Sequence, residues 1–144
     1  MRQHASVYRR KGIWYVLSYS STTEGVWIGQ DPIAKISEVE SAEEKGEVIL
    51  RALAASRHDV PHPLDANVDT CSLRETIGAK SWNEFEKKVQ KISIDRSETG
   101  FILIPWHRAS KTGLVGVEDK EVVLPPKSPA AILGKAVEDA FAYC

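Results

Sequence analysis

At 144 residues, with 42% hydrophobic and 27% charged side chains, the chain has the make-up of one soluble globular domain, 1–144, able to enclose a core. A formal net charge of −1 argues against a dedicated nucleic-acid binder, which carries a basic excess. No run approaches the roughly 18 apolar residues of a spanning helix, no signal-like apolar core opens the chain, and Cys71 and Cys144 are spaced like neither a zinc site nor a disulfide framework, so reduced thiols in a cytoplasmic protein are expected.

Taken in order, residues 6–19 read as a hairpin. Arg10-Lys11-Gly12 interrupts two β-rich runs, and Gly12 can supply the positive φ such turns demand. Residues 13–17 are apolar on both faces, which predicts a central strand. A short strand at 26–30 carries Trp27, Asp31-Pro32 turns the chain, and 33–39 offers a fourth strand. Residues 41–57 form an amphipathic helix, with Ser41 and Glu44 spaced as a capping box. The polar, proline-bearing stretch 58–71 is a connector, followed by a turn or two of helix at 72–77. A better helix is predicted at 81–90, capped by Ser81 and Glu84, with Trp82, Phe85 and Val89 as its apolar stripe.

From Lys91 the opening pattern returns at a constant displacement. Val7 maps onto Ile94, Arg9 onto Arg96, Trp14 onto Phe101, Val16 onto Leu103, Tyr19 onto Trp106 and Gly29 onto Gly116. Glu98-Thr99-Gly100 stands where Arg10-Lys11-Gly12 stood. With one inserted residue, the closing helix 128–144 matches the first one, Gly134 falling on Gly46, and here Ser128 is expected at the N-cap and Pro129 at the first helical position. The reading is α+β: duplicated ββββα units, 7–57 and 94–144, with pseudo-twofold symmetry, antiparallel sheets packed on two core helices, and a helical connector at 58–93. Gly46 and Gly134 each cost about 1 kcal/mol against alanine inside a helix, so close approach of backbones is expected there.

Several residue groups could carry chemistry. His58 and His62 have the spacing of two zinc ligands on a helix, but Pro61 and Pro63 flank His62, and surface-loop histidines are the better reading. Cys71 could be a nucleophile with His58, His62 or His107 as base, yet no nucleophile signature surrounds it, which favours a structural thiol. Trp14, Trp27 and Trp106 with Tyr15 and Tyr19 could stack single-stranded bases while Arg9, Arg96 and Arg108 track phosphates; strand aromatics more often fill a core. The match of Arg9 to Arg96 points to a symmetric salt bridge as readily as to a functional pair. Acidic residues collect around the first helix start (Glu38, Glu40, Glu43, Glu44, Glu47) and at Glu118, Asp119 and Glu121, either as solvated faces or as patches that steer toward a basic partner. Catalytic residues, metal ligands and cofactor motifs do not emerge, and no enzymatic activity is expected.

The Ser-led helix with an internal glycine and the ending Ala52–Arg57, the element Ser81-Trp82-x-x-Phe85, the stretch FILIPWHR at 101–108 and the closing LPPKSPAAILGKAVEDAFAYC resemble the immunity proteins of contact-dependent growth inhibition systems, the CdiI type. Lys45 departs from that pattern, where a leucine is expected. The resemblance implies a cytoplasmic protein that binds the C-terminal toxin domain, commonly a nuclease, of a large secreted CdiA-like protein and blocks it. Contact residues differ between cognate pairs; Arg108, Glu118, Asp119 and Glu121 are the expected partner-binding residues. The duplicated layout is also similar to that of Whirly-type single-strand-binding proteins, which supplies the alternative of a single-stranded nucleic-acid-binding domain.

Overall fold

The strands of both halves lie in one antiparallel sheet. The structure, a computed structural model, describes residues 2–64, 71–81, 84, 85, 87, 89–109 and 113–144. Strands β1 (Gln3–Arg10) and β2 (Ile13–Ser21) form the first hairpin, whose turn residues Lys11 and Gly12 both have positive φ. β3 (Trp27–Ser37) lies along β2, and helix α1 spans Ala42–Ala54. A short helix α2 (Leu73–Ile77) precedes the second hairpin, β4 (Gln90–Ser97) and β5 (Gly100–Ala109). β6 (Gly113–Gly116), a 3-10 turn at Glu118–Lys120, β7 (Val122–Leu124), helix α3 (Ala130–Ala140) and a 3-10 turn at Phe141–Tyr143 complete the described elements. The sheet is seven-stranded, ordered β3-β2-β1-β4-β5-β6, with β7 also paired to β5.

The two hairpins meet at the centre, where β1 and β4 run antiparallel with Ser6 opposite Ser93. Val7 stands opposite Val16 in the first hairpin and Ile94 opposite Leu103 in the second, pairs related by the displacement read from the sequence. The same holds for Tyr19 opposite Gly29 and Trp106 opposite Gly116.

Three expectations need correction. The halves share one sheet, because the β1–β4 pairing fuses what two separate sheets would have left as edges. The first half holds three strands before its helix: Asp31-Pro32 bends β3 without ending it, pairing passing from Ser18–Gln30 to Val16–Ala34 across a bulge. And the second helix begins at Ala130 with Pro129 at the N-cap, while the Ser128 hydroxyl donates to the Pro125 carbonyl at 2.7 Å and caps nothing. Ser41 does cap α1, its Oγ accepting from the Glu44 amide at 3.1 Å. Ser81 likewise accepts from the Glu84 amide at 3.1 Å, but the segment it opens gives way to β4 at Gln90; Trp82 lies outside the described residues.

Each face of the sheet is covered differently. On one, α1, α3 and the closing 3-10 turn press Ile49, Leu53, Leu133, Val137 and Phe141 onto Val7, Trp14, Val16, Ile92, Ile94, Phe101 and Leu103. On the other, the connector lays Leu73, Ile77, Phe85 and Val89 over Tyr8, Tyr15 and Leu17. The helices cross at their glycines. A Cβ on Gly46 would fall inside the Ala130 carbonyl, and one on Gly134 inside the Ala42 carbonyl. Beside this crossing Lys45 is 1% exposed and ion-paired with Glu138. Its Nζ also donates to the Glu38 carbonyl at 2.8 Å and sits 4.5 Å from the centroid of the Trp14 ring. The displacement read from the sequence matches this position to Leu133 of α3, 0% exposed.

Gly134→Leu is expected to cost about 3 kcal/mol or more, because the obstacle is backbone rather than a movable side chain; a thermal midpoint within about 2 °C of the parent would refute the close crossing. Lys45→Leu, which copies the other half, should leave stability within about 1 kcal/mol of the parent or raise it, whereas Glu138→Leu strands a buried ammonium and should cost more. Urea midpoints for both variants check the order.

Candidate partner-binding surface

β5 organises the second half's outer surface. Its pleat sends Phe101, Leu103 and Pro105 toward the helices, where all three are buried, and Ile102, Ile104, Trp106 and Arg108 to the opposite face. On that face Ile102, Ile104 and Trp106 are half-buried and Arg108 is exposed. Trp106 is fixed by its indole N–H, which donates to Ser93 Oγ at 2.9 Å, and by Lys91, whose Nζ is 4.3 Å from its ring centroid. Val123, opposite Ile102 on β7, is 64% exposed and extends the same apolar strip.

The loop between β6 and β7 closes one edge of this strip. It is anchored by the Val117 amide, which donates to the Pro105 carbonyl at 2.7 Å, and its 3-10 turn is tied by the Lys120 amide to the Val117 carbonyl at 3.0 Å. Glu118, Asp119 and Glu121 are all exposed. Arg108 lies three residues along β5 from the loop's anchor, about 10 Å, and pairs across to Leu114 of β6. The four expected residues thus share one edge of the sheet, with no ion pair joining Arg108 to the acids among the described residues.

The other acidic cluster surrounds the start of α1. The hydrogen bond and charge of Glu40 raise the carboxyl of Glu44 above its ordinary value. These side chains crowd one another at a helix N-terminus whose dipole favours them.

The remaining candidates are spread over separate parts of the surface and core. The Nδ1 of His58 lies 2.9 Å from the Ser21 hydroxyl, and that of His62 3.0 Å from the Thr22 hydroxyl, with Nε2 of His62 2.9 Å from the Glu24 carboxylate. Among the described residues no group of three or more His, Cys, Asp and Glu side chains could hold a metal ion. Cys71 is half-buried against the second core. Trp14 is 1% exposed beneath the helices, on the opposite face of the sheet from Trp106, so it is core and not part of an aromatic surface with it. The expected symmetric salt bridge at Arg9 and Arg96 is a pair of arginine–glutamine contacts: Arg9 Nε donates to Gln90 at 2.7 Å, and Arg96 to Gln3 at 3.5 Å. What the sequence did not single out is Asp95, on the face that carries Trp106. Its Oδ1 accepts from Arg2 at 3.0 Å and lies 2.9 Å from His4 Nδ1. Burial pushes this carboxyl up, but the hydrogen bond and charge of His4, then those of Arg2, outweigh it and hold it below its ordinary value.

The described residues form an α+β fold built on one antiparallel sheet. The chain matches the model of the CDI immunity protein family, CdiI, over residues 3–144 and belongs to that family. No curated protein matches it. Among solved structures, a protein of unknown function from Neisseria meningitidis is similar, with a TM-score of 0.78 at 16% identity, covering 100% of this chain and 96% of that one. So is a chain of the CdiA-CT/CdiI toxin and immunity complex from Yersinia pseudotuberculosis, with a TM-score of 0.74 at 18% identity over 100% of this chain and 98% of that one. At these identities the likeness is one of fold. None of the described helices is long and apolar enough to cross a membrane.

The Asp95 carboxyl is lowered on folding, so its ionised form adds stability above the unfolded value near 4, and that contribution disappears as pH falls through the folded value. Asp95→Asn should therefore lower the urea midpoint at pH 7 and converge with the parent in acid. Equal midpoints at pH 7 would refute the contribution.

Proposed function

We propose that this protein binds the C-terminal toxin domain of a cognate CdiA-like protein in the cytoplasm, and blocks it by occupying its surface without chemistry of its own. The observation that carries this reading is the family match across nearly the whole chain. The sheet edge around β5 has the make-up of an interface: an apolar strip at Ile102, Ile104, Trp106 and Val123 within a charged rim of Arg108, Glu118, Asp119 and Glu121. Acids on an exposed turn suit a toxin with a basic cleft, and a nuclease is the reading that follows. We also infer that the halves are a duplication with pseudo-twofold symmetry, supported by the matching hairpin registers and by the reciprocal contacts of Gly46 and Gly134.

The neighbouring upstream gene is expected to encode the tail of a large exported protein, and the test is co-expression with that tail. The two should co-purify, and the toxin's growth arrest should be relieved; failure to bind would overturn the function. The variant Glu118→Ala/Asp119→Ala/Glu121→Ala should weaken association about tenfold at low salt, with the gap narrowing as salt rises. An unchanged association rate in that variant would move the interface away from this loop.

A further inference from the structure

The face of the sheet opposite the helices is covered unequally in the two halves. In the first, the connector lies on Tyr15 and Leu17, which are 8% and 1% exposed. The displacement read from the sequence matches these to Ile102 and Ile104, which are only half-buried, and Val123 beside them is 64% exposed. The matched glycines record the same difference. A Cβ on Gly29 would meet Cys71 of the connector at 3.1 Å as well as Leu17. The nearest atoms to a Cβ on Gly116 belong to Ile104 and Trp106 of the neighbouring strand. An apolar strip left open at a surface marks a contact site.

The charges beside the strip are of both signs and out of reach of one another. Arg108 stands three residues along β5 from Pro105, where the acidic loop is anchored, about 10 Å away. Neither Arg108 nor Glu118, Asp119 and Glu121 joins any of the ion pairs among the described residues. Lys120, within the same turn, is drawn to the Tyr143 ring, its Nζ 5.2 Å from the centroid. Charges nearer the strip are already engaged: Asp95 by Arg2 and His4, and Lys91 over the rings of Tyr8 and Trp106. A cation and a group of carboxylates thus flank one apolar strip, with Trp106 between them. Such a surface is complementary to itself. A twofold axis lying in the plane of contact, midway between Arg108 and the loop, exchanges the two. Each Arg108 then meets the other copy's carboxylates, and the apolar strips face one another with Trp106 nearest the axis.

We propose that a second copy of this chain occupies the β5 face in the free protein. The dimer is isologous, held by the apolar strips and by two reciprocal contacts between Arg108 and the acidic loop. A partner of one sign would leave either Arg108 or the acids unanswered, so a second copy fits this face better than a uniformly basic surface does. The face is the one assigned above to the toxin. The inference rests on that reading only for its consequence, that a toxin displaces the second copy when it binds. So short a strip gives a weak dimer, which makes displacement possible.

The test is sedimentation equilibrium of the full chain with no other protein present. The parent should pass from monomer toward dimer between about 10 and about 500 µM, and less completely as salt rises. Arg108→Glu sets carboxylates against carboxylates at both contacts and should weaken the dimer about a hundredfold, about tenfold for each contact. Glu118→Lys/Asp119→Lys/Glu121→Lys should do the same by setting cations against Arg108. An equimolar mixture of these two variants restores both contacts in a heterodimer. It should associate about as well as the parent, a recovery that also shows both variants to be folded. A parent that stays monomeric over the whole range would overturn the proposal and leave the toxin reading standing. A dimer not weakened by Arg108→Glu, or variants that do not recover on mixing, would overturn the assignment to this face.

Discussion

α1 and α3 touch backbone to backbone, and the rest of the molecule is set by that contact. With hydrogen in place of a side chain at Gly46 and Gly134, each helix accepts a carbonyl of the other where a Cβ would stand. Each glycine costs about 1 kcal/mol in helix propensity. The return is that both helices lie low enough on one face for Ile49, Leu53, Leu133 and Val137 to reach the strands together and share a single core. The crossing also brings Lys45 to Glu138 and to the face of Trp14. A bulkier residue at either crossing point would separate the helices and open the core beneath both.

Around this crossing the two halves differ at several matched positions. A bulge at Asp31-Pro32 in β3 corresponds to the acidic loop between β6 and β7, so that one half keeps a bent edge strand and the other presents carboxylates. The position that is Lys45 in the first half is Leu133 in the second, and both are buried. Shared positions hold the architecture.

Much of the fold was legible because it is written in local chemistry. The Lys11-Gly12 turn, the two-sided apolar run of β2, the Ser41 cap and the paired helix glycines are each readable within a few residues. The errors arose where distant segments decide. Fusion of the halves into one sheet depends on pairing between β1 and β4, residues far apart in the chain, and no periodicity reveals it. Arg9 and Arg96 found glutamines across the strand rather than acids, because the register places Gln90 and Gln3 opposite them. For the surface, the charges of Arg108 and Glu118–Lys120 were visible but their common edge was not.

The bend in β3 has a consequence for how copies of this protein behave toward one another. An open sheet exposes rows of unpaired N–H and C=O groups at its borders, and a long flat border is a template for sheet-to-sheet aggregation. β3 is 11 residues long and forms one border, but Pro32 removes a donor near its middle, the bulge breaks its line, and Lys35 is exposed beyond it. At the opposite side β6 is 4 residues long and β7 is 3. Neither border gives another copy an unbroken row to extend.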